Sequence, residues 1–515
     1  MTDDMADRFY ITTPIYYPNA EPHLGSYYTT AVADTLARYH RLRGDQTYFL
    51  TGTDEHGTKM AKTAAEQGIT PQELVDRVSN SFREFWKELG ISNDDFIRTT
   101  DERHKVAVSE VVRKLVASDD IYLGSYESWY DEGQEEFVTE TEAKKNEYKG
   151  AISRKPLTRF KESTYFFRLT KYVPRVIQYI KDNPGFVRPE SKRNEVLSKL
   201  EAGVDDLSIS RATLKWGIPM PHDPDHVVYV WIDALTNYIS ALGYGTADDS
   251  KFKTFWPADV HLIAKDILWF HTVYWPAMLF ALDLPLPKCV YAHGYWTAEG
   301  RKMSKSLGNT VDIEKLRKFI GLFGRDALRY YVLRAAPFGT DLDWSDAEFV
   351  RTYTELGNVV GNLLNRVLNM TKQTGTVPPI GDAGPEDASL IDALKGFGAS
   401  LEHAYLNLDL QQCAMLPIEL ARVANGYIDK TQPFKMKDAA QASRKGTVLN
   451  LAAQAIYQAL VGLLPILPEK AAAGLAQLGV NITGKTIGEL LGTPLPADHK
   501  LGTGQVLFPK VEMPA

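Results

Sequence analysis

Five short runs rich in β-branched and aromatic residues, RFYITTP, TYFLTGTDEHG, HVVYVWIDA, DVHLIAKD and CVYAHGYW, each break directly into polar residues. No other feature limits the fold of this 515-residue chain as strongly. Such runs predict buried strands, and helix-length stretches between them predict a parallel sheet of the α/β class. In an open parallel sheet ligands gather beyond the carboxyl ends of the strands, so the five polar ends are candidates for one site. Between the second and third runs lie about 170 residues, where a crossover needs only about a dozen. An inserted domain is therefore expected over 121–225.

The first two runs flank NAEPHLGSYYTTAVADTLARYHRLRG, residues 19 to 44. It reads as a turn, a His-x-Gly and an amphipathic helix that sets Val32, Leu36, Tyr39 and Leu42 on one face and stops at Gly44. His23 and Gly25 stand at the helix mouth, where unpaired N–H groups favour a phosphate. His23 as a simple helix cap is the competing reading. A second cluster, GRKMSKSLGN at 300–309, sets Lys302 and Lys305 with Ser304 and Ser306 between glycines. That is either a solvated turn or a cationic loop able to close over a polyphosphate.

The rest of the chain excludes several classes. A formal charge of −7 argues against indiscriminate nucleic-acid coating but leaves room for a local basic surface. One stretch, Lys144, Lys145, Lys149, Arg154, Lys155, Arg159 and Lys161, is opposed by Glu147 alone. It is a solvated face or a local contact for nucleic acid. Cys289 and Cys413, the two cysteines, suit neither a disulfide framework nor a cysteine-rich zinc site and read as reduced core. Val448 to Pro468 carries no charge, but Asn450, Gln454, Gln458 and Pro465 mark it as a buried helix rather than a membrane span. Met1 to Asp7 has no basic, apolar leader character, which predicts a cytoplasmic protein. From about Ser345 the pattern turns helical, with Phe349, Tyr353, Leu356, Val360, Leu363 or Leu364 and Val367 on one stripe before a Gly/Pro linker at 375–387. An α-helical bundle is expected there, and Asn362 and Arg366 share one helix face.

Together these residues carry a resemblance. PHLGS is similar to the first signature of class I aminoacyl-tRNA synthetases, and KMSKS matches their second. TPIYYPNAEPHLG, LTGTDEHG, YVWIDA, KDILWFHTVYWPAML and GRDALRYY resemble the methionyl-tRNA synthetase family, over nearly the whole chain. The resemblance implies a Rossmann-like catalytic domain at 1–120 and 226–296, a connective insert at 121–225, a linking region at 297–345 bearing the lysine loop, and an anticodon-binding bundle at 346–515. It implies activation of methionine with ATP and Mg2+ to an adenylate, and transfer to the terminal adenosine of elongator and initiator methionine tRNAs. A noncatalytic tRNA-binding paralogue is the alternative.

By the same resemblance His23, Gly25, Ser26, Lys302 and Lys305 are catalytic, with His23, Ser26, Lys265, Asp266, Lys302 and Lys305 on ATP. Asp54 takes the methionine ammonium. Ile15, Tyr17, Trp231, Ala234, Leu235, Tyr238, Ile267, His271 and Trp275 line a slot for the thioether, whose polarizable sulfur suits aromatic walls. Asn362, Arg366 and Phe434 read the anticodon, Phe434 standing where the family has tryptophan. Ser26 departs from the family's second histidine or asparagine and brings no charge. Many relatives carry a zinc knuckle in the insert. Here YESWYDEGQEEFVTETEAKKNEYKG has no cysteine, so no structural zinc is expected, and Asp131 and Glu132 read as solvated surface. A monomer is expected.

Overall fold

The computed structural model describes residues 7–512 except 135, 299 and 304–308. These fall into two compact units. One, the sheet unit, comprises Arg8–Pro22 and Thr47–Tyr295. The other, the helical unit, comprises Asp7, His23–Gln46 and the described residues from Trp296 onward.

In the sheet unit, strands are numbered in chain order through the whole molecule. The central sheet contains β1 (Arg8–Tyr16), β2 (Gln46–Thr53), β3 (Asp95–Arg98), β7 (Val187–Arg188), β12 (Val260–Ala264) and β13 (Val290–His293), in the order β3-β2-β1-β12-β13-β7. β2 runs parallel to β3, β1 to β12, β12 to β13 and β13 to β7. Tyr10, Leu50, Ile97, Ile263 and Val290 from these strands join one apolar core with Trp231, Leu235 and Trp275. Burial on both faces explains why the strands read as near-continuous apolar runs.

One expectation needs correction. HVVYVWIDA is not a strand of the central sheet. β11 (Asp223–Val228) pairs antiparallel with β9 (Ser210–Arg211) and β10 (Pro219–Met220), and Val230–Ser240 is a helix buried along its whole length. A helix buried on every side shows no polar face, so its apolar run cannot be told from a strand. Conversely β3 and β7, two strands of the sheet, are too short to have announced themselves.

The insert is a four-stranded sheet, β5 (Glu136–Val138), β4 (Ile121–Asp131), β6 (Thr158–Phe167) and β8 (Leu207–Ser208), in that order. β4 and β6 pair antiparallel from Ile121 opposite Phe167 to Tyr130 opposite Thr158.

In the helical unit, helix Leu24–Arg43 buries Val32, Leu36 and Tyr39 of the expected stripe and ends on Gly44 at φ 99°, a left-handed turn natural for glycine. Its Asp34 is fully buried and paired with Arg329 of helix Arg325–Arg334, and Tyr39 stacks on Tyr405 at 3.8 Å. A small sheet, β15 (Arg301–Lys302), β14 (Trp296–Ala298) and β16 (Leu342–Trp344), precedes the bundle. The expected stripe from Phe349 to Val367 is buried, but the helix is not continuous. Asp346–Leu356 passes through a π-turn at Gly357–Gly361 into Asn362–Met370. Helix Ala442–Leu463 is long and apolar enough to cross a membrane, yet it is buried, and its amides bond to backbone: Asn450 to the Pro378 carbonyl at 2.7 Å, Gln454 to both backbone groups of Leu495. Cys289 and Cys413 are buried free thiols, as expected.

Candidate active site

The helical unit holds His23–Ser26 of the first signature segment and Lys302 and Met303 of the second. His23 is the N-cap of helix Leu24–Arg43, its Nδ1 accepting the Gly25 N–H at 3.0 Å. Accepting there fixes the ring as the neutral tautomer with its proton on Nε2. Ser26 closes a capping box: its hydroxyl accepts the His23 N–H at 3.1 Å and donates to the His23 carbonyl at 2.8 Å. Ser26 thus holds the backbone of His23 in place. Gly25 has a steric reason to be glycine, since a Cβ there stands 2.9 Å from His23 Cε1. Close behind the cationic loop, the Leu24 N–H donates to the Val311 carbonyl at 3.0 Å and His23 bridges Asp312. On the loop's other side, Lys302 pairs with Thr297 in β15–β14. Ser304, Lys305 and Ser306 lie outside the described residues.

The sheet unit holds the proposed methionine residues. After β2 the tetrapeptide Asp54–Gly57 is pinned at four points. Asp54 N–H donates to the Tyr16 carbonyl at 2.9 Å, Glu55 N–H to Thr99 Oγ1 at 2.9 Å, His56 Nδ1 meets Asp233 Oδ2 at 2.7 Å, and Gly57 N–H reaches the Trp216 carbonyl at 3.3 Å. Asp54 is 2 % exposed. Glu55 turns away from it into its own buried set, accepting from Ser79, Thr53 and Arg98.

Helix Val230–Ser240 presents Trp231, Ala234, Leu235 and Tyr238, all buried. Ile267, His271 and Trp275 are not on one regular helix. Ile267 ends a 3₁₀ turn, His271 sits in a π-turn at Phe270–Tyr274, and Trp275 opens helix Trp275–Ala281. Such π-turns favour functional positions because they re-aim side chains. Here the turn lets His271 Nδ1 donate to the Ile267 carbonyl at 2.8 Å while Nε2 accepts from the Tyr238 hydroxyl at 2.7 Å. Burial holds the His271 pKa down at about 4, so the ring is neutral and matches this tautomer. His261 behind it is also kept neutral by burial, Tyr238 stacks on it at 4.1 Å, and Trp275 Nε1 donates to it at 3.3 Å. Trp231 stacks on Phe270 at 3.6 Å, and its buried indole N–H meets no hydrogen-bond acceptor among the described residues. The wall is aromatic, uncharged and internally satisfied except at that indole. Ile15 and Tyr17 are half-buried at the end of β1, with Lys59 over the Tyr17 ring at 4.6 Å. Lys265 and Asp266 follow β12, Lys265 lying 4.4 Å from the Tyr295 ring.

The profile described as tRNA synthetases class I (M) matches residues 9–146 and 146–368. A methionine–tRNA ligase of Halalkalibacterium halodurans is 42% identical across 98% of this chain and 78% of its own length. The chain belongs to the methionine-type class I tRNA synthetases. A relative in Bacillus subtilis, also a methionine–tRNA ligase, is 43% identical over the same shares of both chains. Among solved structures, the Mycobacterium tuberculosis methionyl-tRNA synthetase in complex with methionyl-adenylate superposes with a TM-score of 0.93 at 37% identity, covering 98% of this chain and all of that one.

In the synthetase's insert, one reading is overturned. Asp131 is 1 % exposed rather than solvated. It accepts from the Gly133 N–H at 2.8 Å and from Ser153 Oγ at 2.7 Å and 2.8 Å, tying two turns together. Glycine is required opposite, because a Cβ on Gly150 falls 1.9 Å from Asp131 Oδ2. Glu132 is half-buried and paired with Lys62 at 2.9 Å. The sequence signal was available in the Asp-x-Gly and Gly-x-x-Ser turns, but only their closeness in space reveals a hub. Lys144, Lys145, Lys149, Arg154, Lys155 and Arg159 are exposed.

At the helical end Asn362 is exposed, and Arg366 is held by Asp429 at 2.5 Å and Asn425 at 3.3 Å. Phe434 is 50 % exposed in the turn Pro433–Lys435. Sequence reading also passed over Arg211, buried at 5 % exposure with its guanidinium 4.4 Å from the Tyr229 ring. It lines a cavity of about 700 Å³ with Glu136, Lys199 and Trp269.

Proposed function

We infer that the enzyme is a methionine–tRNA ligase. A methionine carboxylate oxygen attacks the α-phosphorus of ATP, the bond to the β-phosphate breaks, and pyrophosphate leaves. A ribose hydroxyl of the tRNA's terminal adenosine then attacks the adenylate carbonyl, and AMP leaves. No side-chain nucleophile takes part, so catalysis rests on positioning and charge stabilisation.

The observation that carries the reading is the pairing, in one unit, of a buried carboxylate at a strand end, Asp54, with an uncharged aromatic wall of Trp231, Tyr238, His271 and Trp275. Asp54 suits an ammonium. A neutral His271 and Tyr238 that satisfy each other suit a thioether, which offers only a weak acceptor. Ala234, Leu235, Ile15, Tyr17 and Ile267 complete the slot. His23 Nε2–H, Lys302 and Lys305 serve the phosphates, Lys265 and Asp266 the nucleotide, with Gly25 and Ser26 holding His23 to its task. Mg2+ travels with ATP. Bound with ATP, Mg2+ would neutralise phosphate charge beside His23, Lys302 and Lys305.

Asn362, Arg366 and Phe434 contact the anticodon, Phe434 by stacking. The exposed lysines of the insert meet the acceptor end. The domain limits given above, a cytoplasmic location and a monomeric state complete the proposal. Methionine-dependent ATP–pyrophosphate exchange tests it, run with other amino acids and with His23→Ala. Exchange with methionine that collapses in the variant supports the site. Folded protein that binds tRNA but gives no exchange establishes the noncatalytic alternative.

A further inference from the structure

Asp233, on the helix that carries Trp231 and Tyr238, is fully inaccessible, and nothing in the adenylation chemistry uses it. Its Oδ2 accepts from His56 Nδ1 and its Oδ1 from His104 Nε2, both at 2.7 Å. His104, also fully buried, meets Ser240 Oγ through Nδ1 at 2.8 Å. The chain of contacts joins three elements. His56 follows Asp54 by two residues, His104 lies on helix Glu102–Ala117, and Asp233 and Ser240 lie two turns apart on helix Val230–Ser240. Burial pushes the Asp233 carboxyl up, but the two histidines outweigh it and hold it at about 2, so it stays ionised. An ion set of this kind is poor value as plain stability, because apolar side chains would hold the same helices as well. What it supplies is registry: a charged acceptor with two fixed donors allows one rotation of the helix, and a shift of one residue turns a side chain by about 100°.

We propose that His56 and His104, bridged by Asp233, are positioning residues that fix the distance between the ammonium-binding carboxylate and the thioether slot, and thereby set affinity and selectivity for methionine. The geometry is direct. Trp231 precedes Asp233 by two residues, Ala234 and Leu235 follow it, and Tyr238 lies just over one turn on. Rotation of this helix would move every one of them relative to Asp54. The proposal rests on the methionine assignment made above.

The test is methionine-dependent ATP–pyrophosphate exchange with the full chain. An asparagine amide reproduces the reach of a histidine Nδ1, and a glutamine amide that of Nε2. His56→Asn and His104→Gln therefore keep the donors to Asp233, whereas His56→Gln and His104→Asn displace them. The displaced pair should raise KM for methionine about tenfold, leave KM for ATP unchanged and weaken discrimination against norleucine, while the matched pair stays within about threefold of the unaltered enzyme. His56→Leu and His104→Leu should follow the displaced pair where they fold, and the amide variants decide the matter where they do not. Equal methionine KM in matched and displaced variants, or KM for methionine and ATP rising together, overturns the proposal. Absence of exchange in the unaltered enzyme would instead remove the methionine reading itself.

Discussion

The backbone N–H of Leu24 donates to the carbonyl of Val311 at 3.0 Å, fastening the segment behind the lysine loop to the first turn of the signature helix. Leu24 is the first helical residue, a position where proline is tolerated, and His23 before it is extended at φ −144° and ψ 177°. Leu24→Pro should therefore delete this one hydrogen bond and keep the helix. Because Leu24 is fully buried, Leu24→Ala serves as the packing control. The proline variant should lose about tenfold more exchange activity than the alanine variant, roughly one lost hydrogen bond expressed in the transition state. Equal losses would mean that the anchor does not govern the loop.

Gly25→Ala places a methyl group against the His23 ring and should drive Nδ1 off the Gly25 N–H. The loss of a cap costs about 1 kcal/mol of stability. Activity should suffer more than stability does, with kcat for exchange down about a hundredfold and the melting temperature lower by only a few degrees. Thermal melts beside exchange rates check this.

Acid should destabilise the enzyme through its buried histidines. His271 and His293 are held at about 4 by burial, below the ordinary 6.5. Between these values the unfolded chain binds more protons than the folded one, so their contribution is complete above pH 6.5 and is lost as the pH falls toward 4. Each contributes on the order of 1.4 kcal/mol per pH unit in that window. In chemical denaturation followed across it, His271→Gln should show a correspondingly shallower slope. An unchanged slope would contradict a neutral His271.

Tyr238→Phe removes the donor that His271 Nε2 accepts, leaving a buried acceptor unmatched at a cost of about 1–3 kcal/mol. Methionine affinity should drop while ATP affinity holds, which a KM comparison for the two substrates reads directly.

In the insert, Gly150→Ala and Asp131→Ala should both open the turns that Asp131 joins. Limited proteolysis should then cut near residues 131–153. Aminoacylation of tRNA should fall at least tenfold more than exchange, because exchange does not require the acceptor end. Parallel losses in both assays would place the damage in the catalytic core instead.

The α/β class with its parallel sheet and the helical end were legible in the sequence, because short apolar runs ending in polar residues and a 3.6-residue stripe are local patterns. The residues proposed for methionine were legible only through resemblance, since spacing alone could not separate Trp231 and Tyr238 from ordinary core. Tertiary structure decided the rest. It made HVVYVWIDA mostly helix, split Ile267, His271 and Trp275 across a π-turn, turned Asp131 from surface into a buried hub, and gave Ser26 the backbone of His23 to hold. The helix needed burial from all sides and the Asp131 hub needed two turns brought together in space, while the π-turn and the capping box are local backbone geometry that residue spacing does not announce. Sequence determined which chemistry the residues could perform; packing decided which neighbour each polar group found, and so its tautomer, charge and aim.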